Sequence, residues 1–169
     1  MKGLLLVFIM LIGTAALAHD IGREAKATSE ITAYLMDWTK NLAMRHWRRA
    51  AKHIASAAHW STYYNVDPLL VSVTITLESS WDPNAQGDIG EIGLMQLHSP
   101  EAKRGFDLTD PNQQIEAGVK WLRTCIDQCG GDVRQGVNKY ATGECKKPWG
   151  KLDYRMRRYR RAVRLFREE

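Results

Sequence analysis

A chain of 169 residues, 44% of them hydrophobic, is long enough for one domain with a real core and too short for two well-built ones. Its three cysteines lack a fourth partner for a structural zinc, and its five histidines show no His-Glu-x-x-His spacing, so neither a metal nor another cofactor is expected. The net charge of +5 is uneven: basic residues crowd the stretch from Lys139 to Arg167, while acids dominate from Asp67 to Glu116, where Lys103 and Arg104 are the only cations.

Residues 1–18 read as a secretory signal, because Lys2, the apolar Leu4–Ile12 and the ending Ala16-Leu17-Ala18 supply its charged, apolar and small-residue parts. A retained membrane anchor is the alternative, but the apolar stretch is short of the roughly 20 residues a span needs. The expectation is an exported chain beginning at His19, in the periplasm or cell envelope. No cysteine near the boundary could carry a lipid, so a lipoprotein is not expected.

Thr28 or Ser29 can cap a helix with Ile31, Leu35, Trp38 and Leu42 at three-to-four spacing. Trp47, Ala51, Ile54 and Ala58 extend the pattern, predicting one long helix over 29–64 or two joined near Arg48. Residues 19–65 are therefore an N-terminal helical extension, and 66–169 the main domain. Asp67 as N-cap and Pro68 at the first helical position start the next helix. Its Val71, Val73, Thr74, Ile75 and Thr76 favour a strand by propensity, yet the specific start signal and the lack of a partner strand predict a helix. That helix delivers Glu78 at its end into apolar surroundings, where a carboxyl group favours its neutral form. Trp81-Asp82-Pro83-Asn84 ends it.

Gly87 to Gly93 is a loop whose spacing is not that of a phosphate cradle. Asp110-Pro111 begins another helix, with Ile115, Val119 and Leu122 on its apolar face, stopping before Gly130-Gly131. A shorter one runs from Asp132 to Gly143. In an oxidising compartment three cysteines give one disulfide and one thiol. If these two helices are antiparallel, the returning chain brings Cys145 closer to Cys125 than to Cys129, so Cys125–Cys145 is the expected pair. Residues 154–168 form a last helix, with Met156, Tyr159, Val163 and Phe166 on one face and arginines over most of the rest.

Three separated pieces resemble one family. Glu78-Ser79-Ser80-Trp81-Asp82-Pro83-Asn84-Ala85 is similar to the element carrying the catalytic acid in the lytic transglycosylases of soluble type, with the goose-lysozyme-like fold. Gly93-Leu94-Met95-Gln96-Leu97 resembles their sugar-groove element, and Tyr140-Ala141-Thr142-Gly143 their third element, whose tyrosine lies beside the acid. Ala141 stands where the family usually has Asn, Gly87 where it often has Ser, and His98 where Met is common.

The resemblance implies a mainly α, lysozyme-like catalytic domain acting on peptidoglycan glycan strands. It implies cleavage of the β-1,4 bond between N-acetylmuramic acid and N-acetylglucosamine, with 1,6-anhydromuramoyl ends and Glu78 as the single acid and base. It places Ser79, Met95, Gln96 and Tyr140 against substrate, Gln96 on the acetamido group and the Tyr140 hydroxyl orienting Glu78. Blander readings stand beside these: Gln96 can satisfy buried backbone groups, Tyr140 can be core, and Asp88 and Glu91 read as loop charges. The competing functions are a hydrolytic lysozyme on the same fold and a non-catalytic wall-binding or assembly protein. The basic tail is expected to cover the domain and meet anionic wall polymer or membrane rather than nucleic acid. Secretion, conjugation or phage machinery are the partners such a domain would serve.

Overall fold

The computed structural model describes residues 26, 28–37, 47–146, 156–161 and 164. The expected signal at 1–18 lies outside these residues, as do Trp38, Leu42, Val163 and Phe166. Helix α1 covers 28–37, α2 Trp47–Ala50, α3 Ile54–Tyr63, α4 Pro68–Ser79, α5 Pro100–Lys103, α6 Pro111–Gln128 and α7 Val133–Thr142; α8 covers 156–161. The mainly α expectation holds: among the described residues the only β pairing is two isolated antiparallel bridges, Gln86 with Ile92 and Ile92 with Leu97.

The helix starts are local chemistry. Asp67 accepts from the Leu69 N–H at 2.8 Å, Asp110 from the Asn112 N–H at 2.9 Å and Asp132 from the Gln135 N–H at 3.0 Å. Each satisfies donors that no helical carbonyl reaches. The β-branched run in α4 is helical because burial outweighs propensity. Leu69, Leu70, Val71, Val73 and Ile75 are all buried, the pattern of a helix enclosed on nearly every side. Thr74 and Thr76 return their hydroxyls to the carbonyls of Leu70 and Ser72 at 2.8 and 2.7 Å, so α4 carries these polar groups inward at little cost.

Helix α6 packs against α3, α5 and α7, while α4 packs against α3. At the α6–α7 crossing Gly136 lies so close to the Ile126 backbone that a Cβ would sit 2.6 Å from its Cα. The main core joins Ile54, Ala57 and Ala58 of α3 to α4, to Ile115, Val119 and Leu122 of α6, to Leu35 of α1 and to Met156 of α8. A smaller, separate cluster joins Leu97, Ala102 and Ala117, flanked by Phe106, Leu108 and Trp121.

The first helical stretch is broken near Arg48, one of the two expected arrangements, and Trp47 departs from expectation. A turn at 51–53 separates α2 from α3, a few residues past Arg48, and Trp47 is 42% exposed under the Arg48 guanidinium rather than in the apolar face. For the tail, Met156 is buried, Tyr159 packs against the core, and the arginines of α8 are exposed, as the apolar and basic faces predict.

Candidate active site

Glu78 sits in the last turn of α4, and the two residues after Ser79 fix where that turn points. Ser80 and Trp81 both take left-handed backbone angles, φ 53° and 63°, a conformation uncommon outside glycine. The chain therefore reverses at once, and the fully buried Trp81 indole folds under the helix, its Nε1 donating to Thr76 Oγ1 at 2.9 Å. Ser79 Oγ lies 2.8 Å from the Leu94 carbonyl and 3.2 Å from that of Ile75, tying the helix end to the Gly93–Leu97 loop.

That loop hangs on Gln114, a buried side chain of α6. Its Oε1 accepts from the Leu94 N–H at 2.9 Å, and its Nε2 donates to the carbonyls of Pro83 and Leu108 at 3.0 and 2.8 Å. One amide thus links the loop after Glu78, the Gly93–Leu97 loop and the turn before α6. Gln96 works similarly: Nε2 donates to the carbonyls of Gly93 and Ala85 at 2.9 and 3.1 Å. Two carbonyl partners on one side fix the amide orientation, leaving Oε1 as the atom it can offer a ligand.

Glu78, Gln96 and Tyr140, drawn from the three sequence elements, line one open cleft of about 450 Å³. The Tyr140 hydroxyl donates to the Met95 carbonyl at 2.6 Å, and Ala141, Thr142 and Gly143 continue the wall. Glu78 itself is half-buried. Its surroundings are mixed rather than apolar, since Glu91, His98 and Lys139 line the cleft beside Leu97 and Trp121.

Two residues expected against substrate are engaged elsewhere in the fold. The Met95 side chain is fully buried against α6 at Gly118, so only its carbonyl faces Tyr140. Ser79 is absent from the cleft wall, and its hydroxyl serves the Leu94 junction. Conversely, Glu91, read as a loop charge, lines the cleft with Glu78. Its Oε2 accepts from the Ile89 N–H at 3.0 Å, and the side chain lies over Gly87, where a Cβ would collide with it. Gly87 standing where serine is frequent was the available signal. Asp88, the other loop acid, is exposed and is not part of the cleft wall.

The disulfide is Cys129–Cys145, with Cα atoms 5.7 Å apart, not the expected Cys125–Cys145. Gly143 is left-handed at φ 83°, and Asn138 Nδ2 donates to the carbonyls of Glu144 and Cys145 at 2.8 and 3.3 Å, so the chain doubles back along α7 to the end of α6. Cys129 caps that end, whereas Cys125 is fully buried one turn deeper. Burial pushes the Cys125 thiol up to about 11, with nearby Lys139 opposing the shift.

Residues 55–160 match the family described as the transglycosylase SLT domain. The chain is 37% identical over 93 residues to "Transglycosylase" of Enterobacteria phage PRD1, covering 53% of this chain and 34% of that protein. It is 36% identical over 66 residues to "Membrane-bound lytic murein transglycosylase F" of Shewanella halifaxensis, covering 38% of this chain and 14% of that protein. The protein of that name from Pasteurella multocida is 33% identical over 73 residues, 42% of this chain and 15% of the relative. The chain thus spans about a third or less of the length of these curated relatives.

Proposed function

The chain belongs to the transglycosylase SLT domain family, whose fold is lysozyme-like, and from that premise we propose that it is a lytic transglycosylase of peptidoglycan. It cleaves the β-1,4 bond between N-acetylmuramic acid and N-acetylglucosamine and leaves 1,6-anhydromuramoyl ends. The observation that carries the reading is the convergence of Glu78, Gln96 and Tyr140 on one cleft, from sequence elements up to 62 positions apart (140 − 78).

Protonated Glu78 gives its proton to the glycosidic oxygen as the bond from that oxygen to C1 of the muramoyl residue breaks. The resulting carboxylate takes the proton of the muramoyl C6 hydroxyl, whose oxygen bonds to C1. The acid is thereby regenerated, and no water is consumed. Gln96 Oε1 accepts from the substrate's acetamido N–H, its own amide held rigid by Gly93 and Ala85. Tyr140 ties α7 to the loop bearing Gln96 through the Met95 carbonyl. Export to the envelope, with residues 1–18 as the leader, belongs to the same reading.

A second reading, hydrolysis, is favoured by Glu91: a second carboxylate on the cleft wall is the group that could activate a water against C1. Mass spectrometry of soluble products from purified peptidoglycan separates the two. Anhydromuropeptides from the native chain and none from Glu78→Gln support the transglycosylase. Reducing ends shift the assignment to a lysozyme, and no release by the native chain leaves a wall-binding protein.

A further inference from the structure

The end of α4 remote from Glu78 carries two features that glycan cleavage does not use. On α8, Arg157, Arg160 and Arg161 recur at i, i+3 and i+4, which places them along one side of the helix; these three and the helical Arg164 beyond it are exposed. An adjoining side is anchored: Met156 is 7% exposed in the main core, and the Tyr159 hydroxyl donates to Asp67 Oδ2 at 2.8 Å. Asp67 is the N-cap of α4, so the stripe is pinned outward beside the first turn of that helix. Among the described residues no acid forms an ion pair with any of the four arginines.

At the same end lies an aromatic knob. Tyr63, four residues before Asp67, is 63% exposed. It meets Tyr64 edge to face at 4.9 Å and Trp60 at 5.6 Å, with His59 stacked at 6.4 Å. These rings are occupied by one another, which suits a wedge among lipid headgroups better than a platform for stacked bases. The ten-residue step along α4 from Pro68 to Glu78 separates this end from the acid by about 15 Å.

We propose that the arginine stripe of α8 and the Tyr63 knob form a docking face for an anionic phospholipid bilayer. Guanidinium groups bind headgroup phosphates, and the amphipathic rings settle at the interface between headgroups and acyl chains. Glu78, in the last turn of α4, then lies at the end of that helix remote from the bilayer. Charge complementarity names the occupant: a surface dense in phosphate, flat enough to meet a straight stripe and wet enough to accept tyrosine hydroxyls.

The test is flotation of the full chain with vesicles of phosphatidylcholine alone or containing about 30% phosphatidylglycerol. The difference between the two vesicle types is the readout, because the apolar Leu4–Ile12 segment can enter either. Native protein should prefer the anionic vesicles, and the preference should fade with added salt. The combined variant Arg157→Gln, Arg160→Gln, Arg161→Gln, Arg164→Gln should lose that preference by about tenfold or more. Its helical circular dichroism and its release of muropeptides without vesicles should be unchanged, which keeps a failed docking face distinct from a failed enzyme. Tyr63→Ser should weaken binding to the anionic vesicles about threefold or more while leaving the salt dependence in place. Equal preference by native and combined variant overturns the proposal. Stripe-dependent binding of duplex DNA tighter than binding of the anionic vesicles also overturns it and makes the face a nucleic-acid surface.

Discussion

The Tyr140 hydroxyl donates to the Met95 carbonyl across 2.6 Å, a bond between residues 45 positions apart that joins α7 to the loop bearing Gln96. Its proton is spent on the backbone, so any hydrogen bond between Tyr140 and a neutral Glu78 would have Tyr140 as the acceptor. Tyr140→Phe leaves a carbonyl without its donor, and stability should fall by about 1–2 kcal/mol. Release of muropeptides should fall about tenfold or more as the wall loosens, whereas Glu78→Gln should abolish it. Urea unfolding alongside product release separates the two effects.

Gln114 makes three hydrogen bonds from one buried amide. Gln114→Leu keeps the approximate volume but strands the Leu94 N–H and two carbonyls, for a loss of about 3 kcal/mol or more. For a chain of this size that is a fall in Tm of about 6–12 °C, read by thermal denaturation. A change within about 1 °C would show that water replaces the amide.

Glu91 and Gly87 form a matched pair, the side chain of one lying where the Cβ of the other would be. Glu91→Gln should leave anhydro ends as the main product, with release changed less than about tenfold. Gly87→Ala should reproduce that phenotype by displacing Glu91. A variant that turns reducing ends into anhydro ends would instead mark Glu91 as the base for water.

The Cys129–Cys145 bridge closes a loop of sequence separation 16 around α7. Its reduction should cost about 3 kcal/mol in the chain-entropy account, measured by denaturation with and without reductant. Under non-reducing conditions Cys125 should resist thiol reagents in the folded chain and react as a single thiol once the chain unfolds, because burial raises its pKa to about 11. Peptide mapping that finds Cys125 in the bridge would refute the pairing.

Burial, aided by the positive charge of Lys52, lowers the His53 pKa below 6.5 in the folded chain. The unfolded chain then binds the His53 proton more readily, so this residue's contribution to stability falls as pH drops from 6.5 through the lowered value. His53→Asn should flatten the stability curve in that window, as measured by urea midpoints across pH.

Legibility in the sequence tracked the range of the interaction. Asp67-Pro68 and Asp110-Pro111 could be read because a cap and the donors it satisfies lie two or three residues apart. The three elements bearing Glu78, Gln96 and Tyr140 could be read as strings. The side chains inside those strings could not: Ser79 and Met95 look like groove residues, yet their partners, Leu94 and Gly118, are set by packing. Gln114 left no local trace, since its partners lie 20 and 31 positions upstream as well as six. The disulfide misled because a left-handed Gly143 and the Asn138 amide reverse the chain, and helix periodicity carries no information about that reversal.

The left-handed pair Ser80-Trp81 bears on anyone who would transplant this chemistry. Moving a glutamate to the end of another helix would copy the acid without its aim, because here the exit path is set by the indole clasped beneath the last turn. The smallest transferable unit is therefore the helix end together with its buried tryptophan and Thr76, and a host scaffold must supply a socket for that ring before it can use the carboxyl.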